Sequence, residues 1–348
     1  MRKSNKRIPV WCKILLGILI FLTIIIIAGV IFVYNKLGKI NHMIEIETLP
    51  VEEEFFEIDE TAEADKDMIQ LAPEDVTWSD TVEVKGEDDI VNILLIGQDR
   101  RPGESRARSD TMIIASVNKT DKTITLISLM RDMYVQIPGY SDNRINAAYA
   151  FGGMKLLDET IKQNFDIEID GNVEVDFYGF CDVVDALGGV DIDIKSYEID
   201  SVNAGTRSIY LQRKYTSEAP VITTAGTYHL NGAQALSYAR IRYQGNADYE
   251  RTQRQRLVLV SLFNRLKTVS ISEMLKLADT VLPMVNTDMT STQIIGLATD
   301  VLMMGVGNIE THNIPQEASY HSASIRGMSV LVPDLDDCRT RISEFIYE

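Results

Sequence analysis

Five arginines, Arg240, Arg242, Arg251, Arg254 and Arg256, fall within the run YARIRYQGNADYERTQRQR. The chain around them carries a formal net charge of -17, so a positive concentration of this density needs a local cause. Arginine stays charged at any working pH and offers a planar fork of donors, which suits it to holding phosphate oxygens two at a time. A solvated helix face is the plainer explanation for a lone pair. Here the spacing argues otherwise: Arg240 and Arg242 close one helical run, Gly245 and Asn246 turn the chain, and a second helix begins near Tyr249. Arg251, Arg254 and Gln255 then share one face of its first turns at i, i+3 and i+4, near a helix N-terminus that already favours anions.

Further candidates sit where an α/β domain keeps its site, at the ends of strands. Asp99 closes NILLIGQD just after Gly97, and Asp110 opens the next strand in ARSDTM. Two such carboxylates at one sheet edge are hard oxygen ligands for Mg2+, or for Mn2+ in its place, with substrate phosphates completing the shell. Either aspartate alone reads as a turn former or cap. Arg106 and Arg108 flank the second one, however, and Arg131 with Asp132 ends the following strand in SLMRD, so three successive strand ends carry Arg or Asp. No G-x-S-x-G elbow, H-E-x-x-H pair, Walker loop or cysteine with a plausible histidine partner occurs in the sequence, which leaves a covalent triad or zinc mechanism without residues. Phosphoryl transfer needs neither, because it runs on positioning and on charge stabilisation by metal and arginine.

The elements that must position these groups read as one α/β domain over 88–348, a central mixed sheet flanked by helices. Residues 90–96 form a near-continuous apolar run suited to a strand buried on both faces, with 111–117 and 123–128 as its neighbours. A helix over 154–165, a strand over 172–176, a helix over 178–187 stopped by Gly188 and Gly189, and a strand over 190–194 follow. Residues 195–219 show no clear period and are expected to be a surface loop. Asn231 can cap a helix over 232–239, with Leu230 as its hydrophobic staple. Two helices are expected between 270 and 300 around Pro283, then strands over 309–314 and 330–332 and a last helix over 334–347.

Ahead of the domain, residues 1–13 hold five basic side chains and no acid, and 14–34 run without a charge. At about 1.5 Å per residue such a run reaches roughly 30 Å, the thickness of a bilayer core. A cleavable signal would have a shorter apolar region and a small-residue cleavage site, so the pattern predicts a single uncleaved transmembrane helix. The basic flank places the N-terminus in the cytoplasm and the domain outside the cell membrane. Residues 35–87 are acidic and read as an extended extracytoplasmic linker, although Leu71, Val76, Trp78 and Val82 could dock on the domain. The acidity argues against nucleic acid as a partner. Cys12, Cys181 and Cys338 give no disulfide framework, and the four histidines lack metal-ligand spacing.

The runs NILLIGQD, ARSDTM, SLMRD, RINAAYA after IPGY, VDALGGVDI, HLNGAQALSYARIR and DYERTQRQ occur in this order over 91–266, and together they resemble the LytR-CpsA-Psr family of cell-wall glycopolymer ligases. Two details depart from the family pattern: Met130 stands where proline is usual, and Tyr249-Glu250 where a smaller pair often stands. The resemblance implies a membrane-anchored phosphotransferase that takes an anionic glycopolymer, such as teichoic acid or capsule, from an undecaprenyl-pyrophosphate carrier and joins it to a peptidoglycan hydroxyl as a phosphodiester. Carried over by motif, Asp99 and Asp110 would bind magnesium, and Arg108, Arg131, Arg240, Arg242 and Arg251 with Gln255 would hold the pyrophosphate. Arg108 and Arg131 would act in catalysis with Asp248, the nearest remaining carboxylate, as candidate base; Asp132 and Asp248 are alternatively groups that orient arginines. The family further implies a long apolar pocket for the polyprenyl tail, for which Val183, Leu187, Leu257, Val260 and Leu262 are candidates, though their spacing fits ordinary core equally. Topology agrees with such a substrate, since a lipid-linked pyrophosphate at the outer leaflet requires an anchored extracytoplasmic site. Two other functions keep the same residues: a polyprenyl-diphosphate pyrophosphatase that uses water, and a non-catalytic regulator that binds wall polymer through the arginines.

Overall fold

A computed structural model describes residues 33–42, 48–50, 55–56, 69–79, 87, 89–98, 108–242, 247–305 and 309–348. Its strands are β1 (Asn41–His42), β2 (Ile69–Leu71), β3 (Ile90–Gln98), β4 (Ser109–Asn118), β5 (Thr123–Leu129), β6 (Tyr134–Val135), β7 (Asn143–Arg144), β8 (Gly171–Asp176), β9 (Val190–Ile194), β10 (Gly226–Leu230), β11 (Val285–Thr287), β12 (Ile309–Ile314), β13 (Tyr320–Ile325) and β14 (Met328–Pro333). The helices are α1 (Ile145–Phe165), α2 (Phe177–Ala186), α3 (Ile199–Gln212), α4 (Gly232–Ala239), α5 (Ala247–Leu266), α6 (Ile271–Val281), α7 (Ser291–Met304) and α8 (Leu335–Tyr347).

Alternation along the central strands explains the layering. On β3, β4 and β5 the side chains of Leu94, Ile96, Met112, Ile114, Ile127 and Leu129 turn to one face and meet Phe151, Leu157 and Phe165 of α1 and Ile342 of α8. Their neighbours Ile113, Ala115, Val117, Ile124 and Leu126 turn to the other face and meet Leu259 and Phe263 of α5 and Leu297 and Val301 of α7. Apolar residues are therefore required at nearly every position of these strands. The sheet is mixed, ordered β1-β11-β8-β3-β4-β5-β12, with β3-β4 and β4-β5 antiparallel and β3-β8 and β5-β12 parallel. It is the expected α/β architecture.

Several expectations need correction. Most of 195–219 is not a loop: a 3-10 turn at Ser196–Glu198 leads into α3, and the stretch after Gln212 is irregular as expected. Val202, Thr206 and Ile209 form its buried stripe, too sparse among polar residues to show as a period. The expected helix 154–165 is the second half of α1, which begins at Ile145 and breaks at Gly153, where φ is +67°. The strand expected over 190–194 forms as β9 and pairs with β10 in a separate two-stranded sheet. Part of the stretch read as a spacer is packed: β1 pairs with β11, β2 pairs with β13, the Leu49 amide donates to Phe151 O at 2.7 Å, and Trp78 donates to Asp142 at 2.9 Å while stacking on Tyr134. Of the four docking residues, Leu71, Val76 and Trp78 pack as expected, and Val82 lies outside the described residues. The expected transmembrane helix lies outside them too, apart from its last two positions; among the described residues no helix is long and apolar enough to cross a membrane. Cys181 and Cys338 are buried free thiols.

At the end of the sheet away from the arginines, Asn172 Nδ2 donates to both Asp158 (2.8 Å) and Asp288 (2.7 Å). Burial pushes the Asp158 carboxyl up to about 7, and the nearby Asp288 and Glu159 push the same way. Between its ordinary 3.8 and about 7 the folded chain keeps a proton that the unfolded chain has lost, so stability falls as pH rises through that window. Urea titrations at pH 4.5 and 7.5 are expected to show this decline in the wild type and a flatter profile in Asp158→Asn.

Candidate functional site

Antiparallel pairing brings two strand-end motifs together. Ile113 of β4 faces Ser128 of β5, so Asp110 at the start of one strand and Arg131 just past the end of the other reach the same sheet edge. There Arg131 Nη1 donates to Asp110 Oδ1 at 2.5 Å, and Arg242 Nη2 lies 3.5 Å from Asp110 Oδ2. Arg131 Nε is 3.4 Å from Asp132, whose other oxygen is 3.5 Å from Arg144 Nε. The Asp110 and Arg131 side chains are 17 % and 18 % exposed, so their charges act in a medium well below the polarity of water, while Arg242 at 40 % still opens to solvent.

The second helical motif supplies the rest. Asn231 accepts from the Gln234 amide and Gln234 reaches back to the Asn231 amide, a reciprocal cap that starts α4 at Gly232. After eight residues α4 ends at Ala239, placing Arg240 with its guanidinium carbon 4.3 Å from the Phe177 ring centre. Arg240 and Gln255 are among the residues lining a cavity of about 210 Å³ between the sheet and helices α2, α4 and α5. Its walls are otherwise apolar, built from Leu95, Val173, Val175, Phe180, Val183 and Leu262 among others, with Thr111, the neighbour of Asp110, at the same lining.

Arg108 is half-buried, its guanidinium 4.9 Å from the Phe55 ring centre. Arg251 is buried at 3 % exposure near the start of α5. Asp99 and Arg106 lie outside the described residues, although Gln98, the residue before Asp99, pairs with Ser109, the residue before Asp110. Asp248 falls in the first turn of α5, and its side chain is outside what the structure describes. Of the candidate pocket residues, Val183 and Leu262 line the cavity; Leu187 is core, Leu257 is exposed at 46 %, and Val260 packs on the sheet without lining the cavity.

The single arginine face expected on α5 is divided. Gln255 turns to the cavity, but Arg254 is buried against Glu198, with Nε to Oε1 at 2.7 Å, pairs with Glu250, and donates to Ile241 O at 3.3 Å. Arg256 points into the sheet, donating to Ser128 Oγ at 2.8 Å and to Asn313, and burial pulls its pKa down to about 10. Arg144 likewise spends its fork on Ser329 O at 2.6 and 3.1 Å. These three arginines hold the frame. Sequence reasoning missed Phe177, Glu198 and Thr111: the first two sit among residues whose partners are distant in the chain, and only the motif ARSDTM drew attention to the last.

A mixed sheet with a largely apolar cavity lined by Arg240, and an Asp110–Arg131–Arg242 cluster next to its lining residue Thr111, defines an α/β protein suited to a ligand with an anionic head and an apolar tail. Residues 53–341 match the LytR_cpsA_psr family, and the chain belongs to it. It is 30 % identical over 274 residues, 77 % of its own length and 74 % of the relative's, to the polyisoprenyl-teichoic acid–peptidoglycan teichoic acid transferase TagT of Bacillus subtilis. It is also 29 % identical over 235 residues, 67 % of each chain, to the regulatory protein MsrR of Staphylococcus aureus. The solved structure of the LytR-CPS2A-psr family protein YwtF (TagT) of Bacillus subtilis with bound octaprenyl pyrophosphate lipid superposes with a TM-score of 0.55 at 26 % identity, covering 76 % of this chain and 94 % of that one.

Proposed function

We propose that this protein is a membrane-anchored phosphotransferase that moves an anionic glycopolymer from a polyprenyl-diphosphate carrier to a peptidoglycan hydroxyl, leaving a phosphodiester. The observation that carries this reading is the largely apolar cavity whose lining includes Arg240 and Gln255 and, through Thr111, adjoins the Asp110–Arg131–Arg242 cluster. The tail would fill the cavity, and the diphosphate would sit among Arg131, Arg240 and Arg242, with Arg108 and Arg251 as further donors. Arginine forks aimed at a phosphoryl group offset the charge that builds on its oxygens during displacement. Asp248 is assigned as the base that takes the acceptor hydroxyl proton, and Asp132 as the group that orients Arg131 and Arg144.

Asp110 offers hard carboxylate oxygens of the kind Mg2+ takes, and in this structure both are engaged by guanidinium groups. Asp110 with Asp99 would hold the ion, which would neutralise diphosphate charge. Anchoring through 14–34 with the domain outside the cell belongs to the same proposal, because a carrier lipid is reached only at the membrane. The likeness to MsrR supports a second, regulatory reading in which the site binds polymer without transfer; formation of labelled peptidoglycan from a lipid-linked donor separates the two.

Val183→Trp places a large ring in the cavity. It is expected to raise KM about tenfold, the equivalent of about 1.4 kcal/mol, for a donor with a full-length polyprenyl tail. A donor carrying only two isoprene units should be unaffected. An equal loss with both donors would remove the cavity from the tail-binding role.

A further inference from the structure

The chain just after the uncharged run is clasped to the domain. Lys36 and Lys39 both reach Asp279 of α6, the latter at 2.8 Å. Asn41 Nδ2 donates to Pro283 O at 2.8 Å, β1 extends the sheet edge in parallel with β11, and the Tyr34 hydroxyl lies 3.2 Å from Thr292 Oγ1 at the start of α7. A membrane span ending at Tyr34 would therefore leave the bilayer against α7, with no length of free chain between lipid and domain.

Helix α7 has two faces. Leu297, Val301 and Met304 pack on the sheet. Thr292, Gly296, Thr299 and Met303, at i, i+4, i+7 and i+11, form one exposed row on the opposite side that begins at the Tyr34 contact. That row ends in the most exposed large apolar side chain among the described residues, Met303 at 81 %, beside Leu302 at 66 %. Small and hydroxylated residues followed by an apolar tip suit a helix lying along the lipid headgroups, and interfacial tyrosine such as Tyr34 marks the same level.

We propose that the outer face of α7, from Thr292 to Met303, is a membrane-contact surface that seats the domain on the bilayer, held in place by the clasp of Lys36 and Lys39 on Asp279. This rests on the anchoring proposed above. The seat lies close to the cavity: the inner face of α7 packs in one cluster with Leu95, Ile113 and Leu259, which line the cavity. A polyprenyl tail thus has a short path from lipid to site.

The test uses the full chain in a Cys12→Ser background, the other two cysteines being buried. A nitroxide is attached at Met303→Cys or, as control, at Leu211→Cys on α3, a position exposed at 73 %. After reconstitution into phosphatidylglycerol–phosphatidylethanolamine vesicles, immersion depth is read by collision with oxygen and with a water-soluble nickel chelate. The label at 303 is expected to lie about 5–10 Å into the headgroup–acyl boundary and the label at 211 in water. Asp279→Lys should bring the 303 label out into water while the chain still floats with the vesicles. Co-flotation with both labels equally in water overturns the membrane seat alone. Failure to co-float overturns the anchoring as well.

Discussion

Arg131→Ala is expected to lower kcat/KM for transfer from a lipid-diphosphate donor by about two to three orders of magnitude, the usual cost of losing one preorganised donor at a site of developing charge. Arg131 is the centre of the cluster: it bonds Asp110 at 2.5 Å and lies 3.4 Å from Asp132. Removing it deprives the phosphoryl oxygens of a donor fork and leaves two partly buried carboxylates closer to unopposed. Arg131→Lys keeps the charge but not the fork and should recover only part of the loss. Because both carboxylates retain second partners, Arg242 for Asp110 and Arg144 for Asp132, the melting temperature should change little. A variant that transfers normally would remove Arg131 from catalysis, and a collapse of stability in step with activity would make it a structural residue.

Glu198→Ala is expected to have the largest effect on stability, about 3 kcal/mol by denaturant titration, the lower end of the cost of breaking a buried ion pair. Glu198 and Arg254 are 1 % and 2 % exposed and meet at 2.7 Å. With the carboxylate gone, the negative charge that still faces Arg254 is Glu250, whose side chain is 26 % exposed and better solvated. Replacing both partners, as in Glu198→Leu with Arg254→Met, should restore much of the stability, since no buried charge is then left uncompensated. Activity should not return with it. Arg254 also donates to the carbonyl of Ile241, the residue between Arg240 and Arg242, so the double variant is expected to fold yet show a raised KM. Recovery of both together would show that Arg254 does not position the arginines.

The central sheet was legible because burial on both faces demands apolar residues at nearly every position of β3, β4 and β5, and few other structures make that demand. Helix α3 was hidden because its three buried residues need contacts only on one narrow side, against α4, and the remaining positions follow solvent. The acidic stretch misled for a related reason. Composition reports the average of a segment, whereas docking at Leu49, Ile69–Leu71 and Trp78 depends on a few apolar residues spaced among many acids.

By itself the sequence determined the inventory of groups: arginine forks and strand-end carboxylates in a fixed order, which depend on residue type and so survive without coordinates. Only tertiary structure decided which arginines stand beside the cavity and which are committed to the frame. Arg240 and Arg242 stand at the cavity and at Asp110, while Arg254 and Arg256, from the same short run, are committed to Glu198 and to Ser128 with Asn313. The helical period sets neighbours along α5 but not what each side meets. That assignment belongs to the partners, which lie 56 and 128 positions away in the chain.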